Sequence, residues 1–230
     1  MRTVARAGVA AALLLAGPAR AEVSGALAVL SDYRYRGASI SDGRPVAQAG
    51  IAVDHASGAY VGALLSYVKV STDISGLGGL AYGGYTHALA GAVSWDVGVV
   101  THRFPAPGEP PRYDYAEWYV GVGDTATNAH LFHSTDYYGV GSHSWYLEAN
   151  HTMPLLGRYR LSVHLGYLVV GHSYYGVEGS RLDYKAGVGV DLAGFMVDLS
   201  LTGTNRGQPR CPVENGHCTA TVVVLVSRQF

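Results

Sequence analysis

Apolar and polar residues alternate one by one along most of this chain. Between 158 and 170, Tyr159, Leu161, Val163, Leu165, Tyr167 and Val169 fall on one face; Arg158, Arg160, Ser162, His164 and Gly166 fall on the other. A period of two marks a β-strand whose faces meet different surroundings. Leu182, Tyr184, Ala186, Val188, Val190 and Leu192 oppose Asp183, Lys185, Gly187, Gly189 and Asp191 in the same way, and the alternation recurs at 93–102 and 195–204. Glycine interrupts nearly every stretch long enough for a helix, and no helical period emerges.

This pattern predicts twelve strands, near 23–36, 44–54, 59–70, 77–87, 92–104, 112–124, 129–139, 143–153, 158–170, 180–192, 195–205 and 218–230. The faces of the fourth and seventh are poorly separated, which leaves ten or fourteen strands as alternatives. Tight links follow even-numbered strands, as at His55-Ala56-Ser57-Gly58, Pro154-Leu155-Leu156-Gly157 and Ala193-Gly194. Longer links rich in Pro, Gly and charge follow most odd-numbered ones, at 37–43, 71–76, 105–111, 171–179 and 206–217. An even count with short turns at one end and longer loops at the other is the plan of an antiparallel transmembrane β-barrel, with both termini in the periplasm.

Period two does not say which face points inward. A soluble lipocalin-like barrel would bury the apolar face. Two features favour the inverse arrangement. Tyr159 and Tyr167 flank Leu161, Val163 and Leu165, and Tyr33, Tyr35, Tyr113 and Tyr115 cluster near expected loop ends, as interfacial girdles require. The chain also stops on a strand ending in Phe230, which resembles the terminal signature read by the bacterial barrel-assembly machinery.

Composition adds the compartment. Arg2 and Arg6 precede an apolar stretch from about Ala7 to Gly17, and Ala19-Arg20-Ala21 supplies small residues for cleavage after Ala21. That is the layout of a secretory signal peptide over 1–21, too short in its apolar part to span a bilayer, leaving 22–230 as the barrel. Arg2, Arg6 and Arg20 leave with it, so sixteen basic residues become thirteen against seventeen acids, a formal net charge of −4. This argues against a nucleic-acid partner. Cys211 and Cys218, the only two cysteines, lie in a Pro/Gly-rich segment, and an exported protein would pair them as a loop disulfide.

The segment Ser31-Asp32-Tyr33-Arg34-Tyr35-Arg36-Gly37-Ala38-Ser39-Ile40-Ser41-Asp42-Gly43-Arg44-Pro45, followed by Gln48 and Gly50, resembles the opening motif of the TorF-type porin family. Asp114-Tyr115-Ala116-Glu117-Trp118-Tyr119-Val120-Gly121, Asp136-Tyr137-Tyr138-Gly139 and Leu182-Asp183-Tyr184-Lys185-Ala186-Gly187-Val188 extend the resemblance along the chain. It implies an outer-membrane barrel with a channel role and brings no agreed substrate.

Candidate chemistry is electrostatic. Asp32, Arg34 and Arg36 share one parity of the expected first strand, and Arg44 enters the second close by. An arginine facing lipid at mid-membrane costs roughly 2–4 kcal/mol, so this row is expected inside, as a constriction or as a structural ladder with Glu117. Further inward candidates are Asp54, Asp96, Glu148, Asn150, Arg158, Arg160, His164, Asp183, Lys185, Asp191 and Asp198. Tyr60, Tyr119 and Tyr146 are expected to narrow the passage, and inward glycines such as Gly62, Gly98 and Gly121 to widen it. Lipid hydrolysis would call on His130, His133, Ser134 and Asp136, or Ser142, His143 and Ser144, but adjacency does not make a nucleophile–base pair. The expectation is a non-enzymatic channel for small polar solutes or ions, surrounded by outer-membrane lipid and without cofactor or metal; the alternative is a non-conducting barrel that acts as a lipid-modifying enzyme or as a docking or structural protein.

Overall fold

The computed structural model describes residues 21–69, 74–105, 113–171, 179–205 and 218–230. The expected signal peptide, apart from Ala21, lies outside them. Strand β1 (Ala21–Leu30) leads into a short hairpin, β2 (Arg34–Tyr35) and β3 (Ala38–Ser39). The chain then runs through β4 (Val46–His55), β5 (Ala59–Lys69), β6 (Ser75–Ala90), β7 (Val93–Arg103) and β8 (Tyr115–Gly123). It continues through β9 (Thr127–Ser134), β10 (Ser144–Leu155), β11 (Tyr159–Val170), β12 (Gly179–Leu192), β13 (Phe195–Thr204) and β14 (Thr221–Gln229). β2 and β3 pair antiparallel with each other alone; the other twelve strands pair antiparallel in turn, and β14 pairs with β1, closing a barrel of twelve strands.

The alternation is resolved in favour of an apolar exterior. Val23, Leu27, Leu65, Leu165, Leu199 and Val222 all stand more than half exposed on the outside. Their neighbours of opposite parity, among them Ser66, Asp198 and Ser200, are buried inside. An outer surface of this kind is solvated by lipid rather than water. Aromatic side chains gather toward its two edges. Trp118 and Trp145 pack edge to face with centroids 5.5 Å apart beside His133 near the loop end, and Tyr85, His87 and Trp95 group near the turn end.

Two expected strands are shorter than the alternation suggested. The first ends at Leu30 rather than continuing to 36. The seventh ends at Ser134, after which Tyr137–Gly139 form a single 3-10 turn. In both places the period-two pattern runs on into a segment that folds inward. The glycines also behave differently from expectation. A Cβ on Gly84, Gly98 or Gly166 would collide with the ring of Tyr60, Tyr119 or Tyr146, and one on Gly62 with Tyr82. These positions let aromatic rings lie against the wall of the adjacent strand, so they thicken the lining rather than open the lumen.

Candidate functional site: the lumen and its inturned hairpin

The loop between β1 and β4 turns into the barrel and crosses it. At its tip Arg36 and Gly37 both have positive φ, 48° and 76°, and Arg34 and Tyr35 pair with Ser39 and Ala38 across them. That is the geometry of a two-residue hairpin turn of primed type, whose right-handed twist suits short paired strands. Gly37 is required on two counts: its φ, and a Cβ there would meet Thr204, Asp183 and the Gly203 carbonyl.

The base of the hairpin is organised by one carboxylate. Asp32, 3% exposed, accepts hydrogen bonds from Ser39 Oγ at 2.6 Å, Ser41 Oγ at 3.0 Å and Arg34 Nε at 2.5 Å. Charge-assisted bonds of this sort are the strong ones, and three on one buried group fix the loop's shape. Arg34 also donates to the Gly37 and Thr219 carbonyls, and Lys69 Nζ on β5 holds Asp42 at 2.8 Å.

The tip reaches the opposite wall. Arg36 Nη2 donates to Glu117 Oε2 on β8 at 2.7 Å, with the two side chains 5% and 1% exposed. His102 Nε2 on β7 lies 3.2 Å from the same oxygen. Tyr35 and Tyr115 share a hydrogen bond at 2.8 Å, and Arg181 Nη2 on β12 donates to the Arg36 carbonyl. Tyr115, Tyr137, Tyr138, Tyr146 and Leu168 form the buried cluster around this point. Burial pushes the hydroxyls of Tyr35, Tyr137 and Tyr138, none of them on a spanning strand, upward and keeps them neutral.

The seat is not fully matched. Glu117 Oε1, Arg181 Nε and Asp183 Oδ2 are buried and lack a hydrogen-bond partner. Each such atom costs about 1–3 kcal/mol, which offsets part of what the hairpin gains by burial. A small cavity is lined by Tyr33, Tyr35 and Ile40 of the hairpin segment together with Leu64 and His102 of the wall.

Toward the turn end the lumen changes character. Lys185 meets Asp198 at 3.1 Å, His164 meets Asp183 at 2.9 Å, and Arg160 meets Asp191 at 2.9 Å. His130 stands between Asp96 at 3.2 Å and Glu148 at 3.8 Å. Asp54 completes the set without a basic neighbour in contact range among the described residues. Acids outnumber bases here, and most of these side chains are only partly buried.

Several expectations are corrected by this geometry. Asp32, Arg34 and Arg36 do not form a row on a wall strand; they belong to the hairpin inside the lumen. Arg44 does not join them, because its side chain is 71% exposed and lies 3.8 Å from Asp42 in the loop. Arg158 stands in the exposed β10–β11 turn over the Tyr159 ring and does not line the lumen. Glu117, Glu148, Arg160, Asp183 and Lys185 do face inward. The sequence reading missed His102, Arg181 and Phe132; Arg181 shares the parity of Asp183 and Lys185 and could have been found from it. The hydrolytic candidates are dispersed: His133 stacks outside on Trp145, while Ser142 Oγ donates to the Gly171 carbonyl and Asp136 caps Gly141 N. Cys218 is fully buried and not free, while Cys211, its expected partner, lies outside the described residues.

Known proteins place this architecture. Residues 16–230 match the family described as "Bacterial protein of unknown function (Gcw_chp)". No curated protein matches the chain in sequence. Among solved structures it is similar to the NanC porin (TM-score 0.55, 8% identity, 90% of this chain and 98% of that one). It is likewise similar to the KdgM porin (TM-score 0.54, 9% identity, 92% and 98%), which has also been solved with disordered oligogalacturonate. An outer membrane channel from Pseudomonas putida F1 aligns over 99% of this chain and 100% of its own, at TM-score 0.50 and 12% identity. At these identities the likeness establishes the fold, a twelve-stranded barrel of the outer-membrane porin type.

Proposed function

We propose that this chain, which belongs to the Gcw_chp family of bacterial proteins of unknown function, is an outer-membrane channel for passive diffusion of small hydrophilic solutes or ions. The observation that carries the reading is the hairpin 31–45 folded into the lumen with Arg36 against Glu117. A barrel serving only as a structural shell has no need of a charged element across its bore, whereas a channel needs a place where passage is controlled. The porin-type fold and the polar, acidic lower lumen agree with it. Asp32, Arg34, Arg36, Glu117 and Asp183 then belong to the constriction and its support, with Glu148, Arg160 and Lys185 in the vestibule.

In this reading the signal peptide is removed after Ala21, both termini face the periplasm, and Phe230 presents the last strand to the assembly machinery. Catalysis has no part in it: transit is diffusion past fixed charges, and no bond is made or broken. The cargo is not inherited from the neighbours, because KdgM's oligogalacturonate is polyanionic while this vestibule is acidic.

Planar-bilayer recording of refolded 22–230 tests the proposal. The intact protein is expected to show small or infrequent openings, and Arg34→Ala/Arg36→Ala larger and more frequent ones with altered selectivity in a salt gradient. A folded, heat-modifiable barrel that passes no current in either form, nor after excision of 34–39, would overturn it in favour of a non-conducting barrel.

A further inference from the structure

Four aromatic rings surround one guanidinium. The Arg36 Cζ lies 4.0 Å from the ring centroid of Tyr146, 5.0 Å from Tyr35, 5.6 Å from Phe132 and 5.7 Å from Tyr137. Glu117 supplies the carboxylate at 2.7 Å. Only Tyr35 travels with the hairpin. The other three rings and the carboxylate belong to β8, β9, β10 and the 3-10 turn after β9, so the wall carries the arrangement by itself. Aromatic faces around a carboxylate, out of water, are the chemistry that recognises guanidinium and alkylammonium groups.

The internal occupant uses this site incompletely. Glu117 Oε1 is buried without a hydrogen-bond partner, so the carboxylate meets Arg36 through one oxygen only. The Arg36 backbone is held by its turn and by Arg181, which ties this occupant to the hairpin. A small free cation has no such tether. The approach from the turn end is lined by Asp54, Asp96, Glu148 and Asp198, a field that raises the local concentration of cations.

We propose that the cage of Tyr146, Phe132, Tyr137 and Glu117 is a binding site for small guanidinium- or alkylammonium-bearing solutes, and that Arg36 is its built-in occupant. A solute entering the cage displaces Arg36 and loosens the hairpin's hold on the far wall. The physiological meaning rests on the channel reading, since the displaced hairpin is what would open the bore. The binding itself does not depend on conduction.

Calorimetric titration of the refolded 22–230 barrel in detergent with ethylguanidinium chloride, against sodium chloride at equal ionic strength, tests the site. Arg36→Ala is expected to take up ethylguanidinium roughly tenfold or more tightly than the intact protein, in which Arg36 competes. The double variant Arg36→Ala/Glu117→Gln should lose that uptake, and urea, an uncharged relative of the same planar shape, should not bind. An Arg36→Ala barrel that is folded by its heat-modifiable gel mobility and binds ethylguanidinium no better than the intact protein overturns the proposal. So does uptake that survives loss of the Glu117 charge. If Arg36→Ala does not fold, Arg36→Met serves instead, because methionine keeps much of the side chain's length and carries no charge to compete for the cage; equal uptake by it and by the intact protein is then the refuting result. Uptake as expected on a barrel that never conducts would leave the site standing and overturn only the channel reading.

Discussion

The two halves of the lumen are lined by the same strands and yet obey different rules. Near the loop end, Arg36, Glu117, Asp32 and a cluster of tyrosines are nine-tenths buried or more, and the hairpin joins β1 to strands on the far side. Near the turn end, Lys185–Asp198, Arg160–Asp191 and His130 with Asp96 and Glu148 link only nearby strands and stay partly open. The wall contributes inward polar groups at both levels. What differs is whether a loop folds in over them. A barrel interior is therefore made dry or wet by a connection rather than by its strands.

That contrast can be broken outright. Replacing residues 34–39 by a short Gly/Ser link should make the loop-end half resemble the turn-end half. Single-channel conductance is expected to rise several-fold toward the value of an open bore of this strand number, and a conductance unchanged from the intact protein would show that the hairpin does not limit passage. Next in size, Glu117→Gln leaves the Arg36 charge buried against a neutral amide. Removing one partner of a buried pair costs about 3–5 kcal/mol, so the urea midpoint of the folded barrel should fall clearly. The matched change in the lower half, Glu148→Gln, should stay within about 1 kcal/mol because its surroundings are partly solvated. Equal losses from the two changes would erase the distinction between the halves.

Gly37→Val comes after these. Positive φ and collision with Thr204 and Asp183 together should cost about 1–3 kcal/mol, read as looser hairpin docking by protease sensitivity within 31–45 while the barrel itself stays folded. Smallest in stability, and informative for that reason, is Asp96→Asn/Glu148→Gln. It should leave the unfolding midpoint nearly unchanged and lower the cation-to-anion permeability ratio; a selectivity that does not move would locate the filter elsewhere.

The barrel was legible because lipid imposes a rule on every second residue, and stretches such as 158–170 follow it without a break. The hairpin was not legible for the same reason. Asp32, Arg34 and Arg36 continue the parity of β1 past Leu30, so period two reads them as more wall. The signal that something else happens is chemical. Tyr33, Tyr35 and Ile40 are too apolar for a loop in water, and a glycine at 37 follows directly on the row. Glu117 was recognisable as inward because its parity is set by Trp118 and Val120 outside. Its pairing with Arg36, 81 positions earlier, was named only as one possible ladder, since no local pattern encodes a contact across the bore. Arg44 misled because charge next to a charged row invites grouping, whereas the Gly43-Arg44-Pro45 corner carries it outward.

The hairpin also sets an order of events during assembly. Its sequence emerges before every strand it docks against except β1, and its contacts at Glu117 and Arg181 lie 81 and 145 positions away. Contacts of that range form late, once the intervening chain has been organised. The wall must therefore curl and close before its own stopper has anywhere to sit. On the channel reading, a newly inserted barrel would pass through a leaky stage, and the last step of its maturation would be the sealing of a pore rather than the making of one.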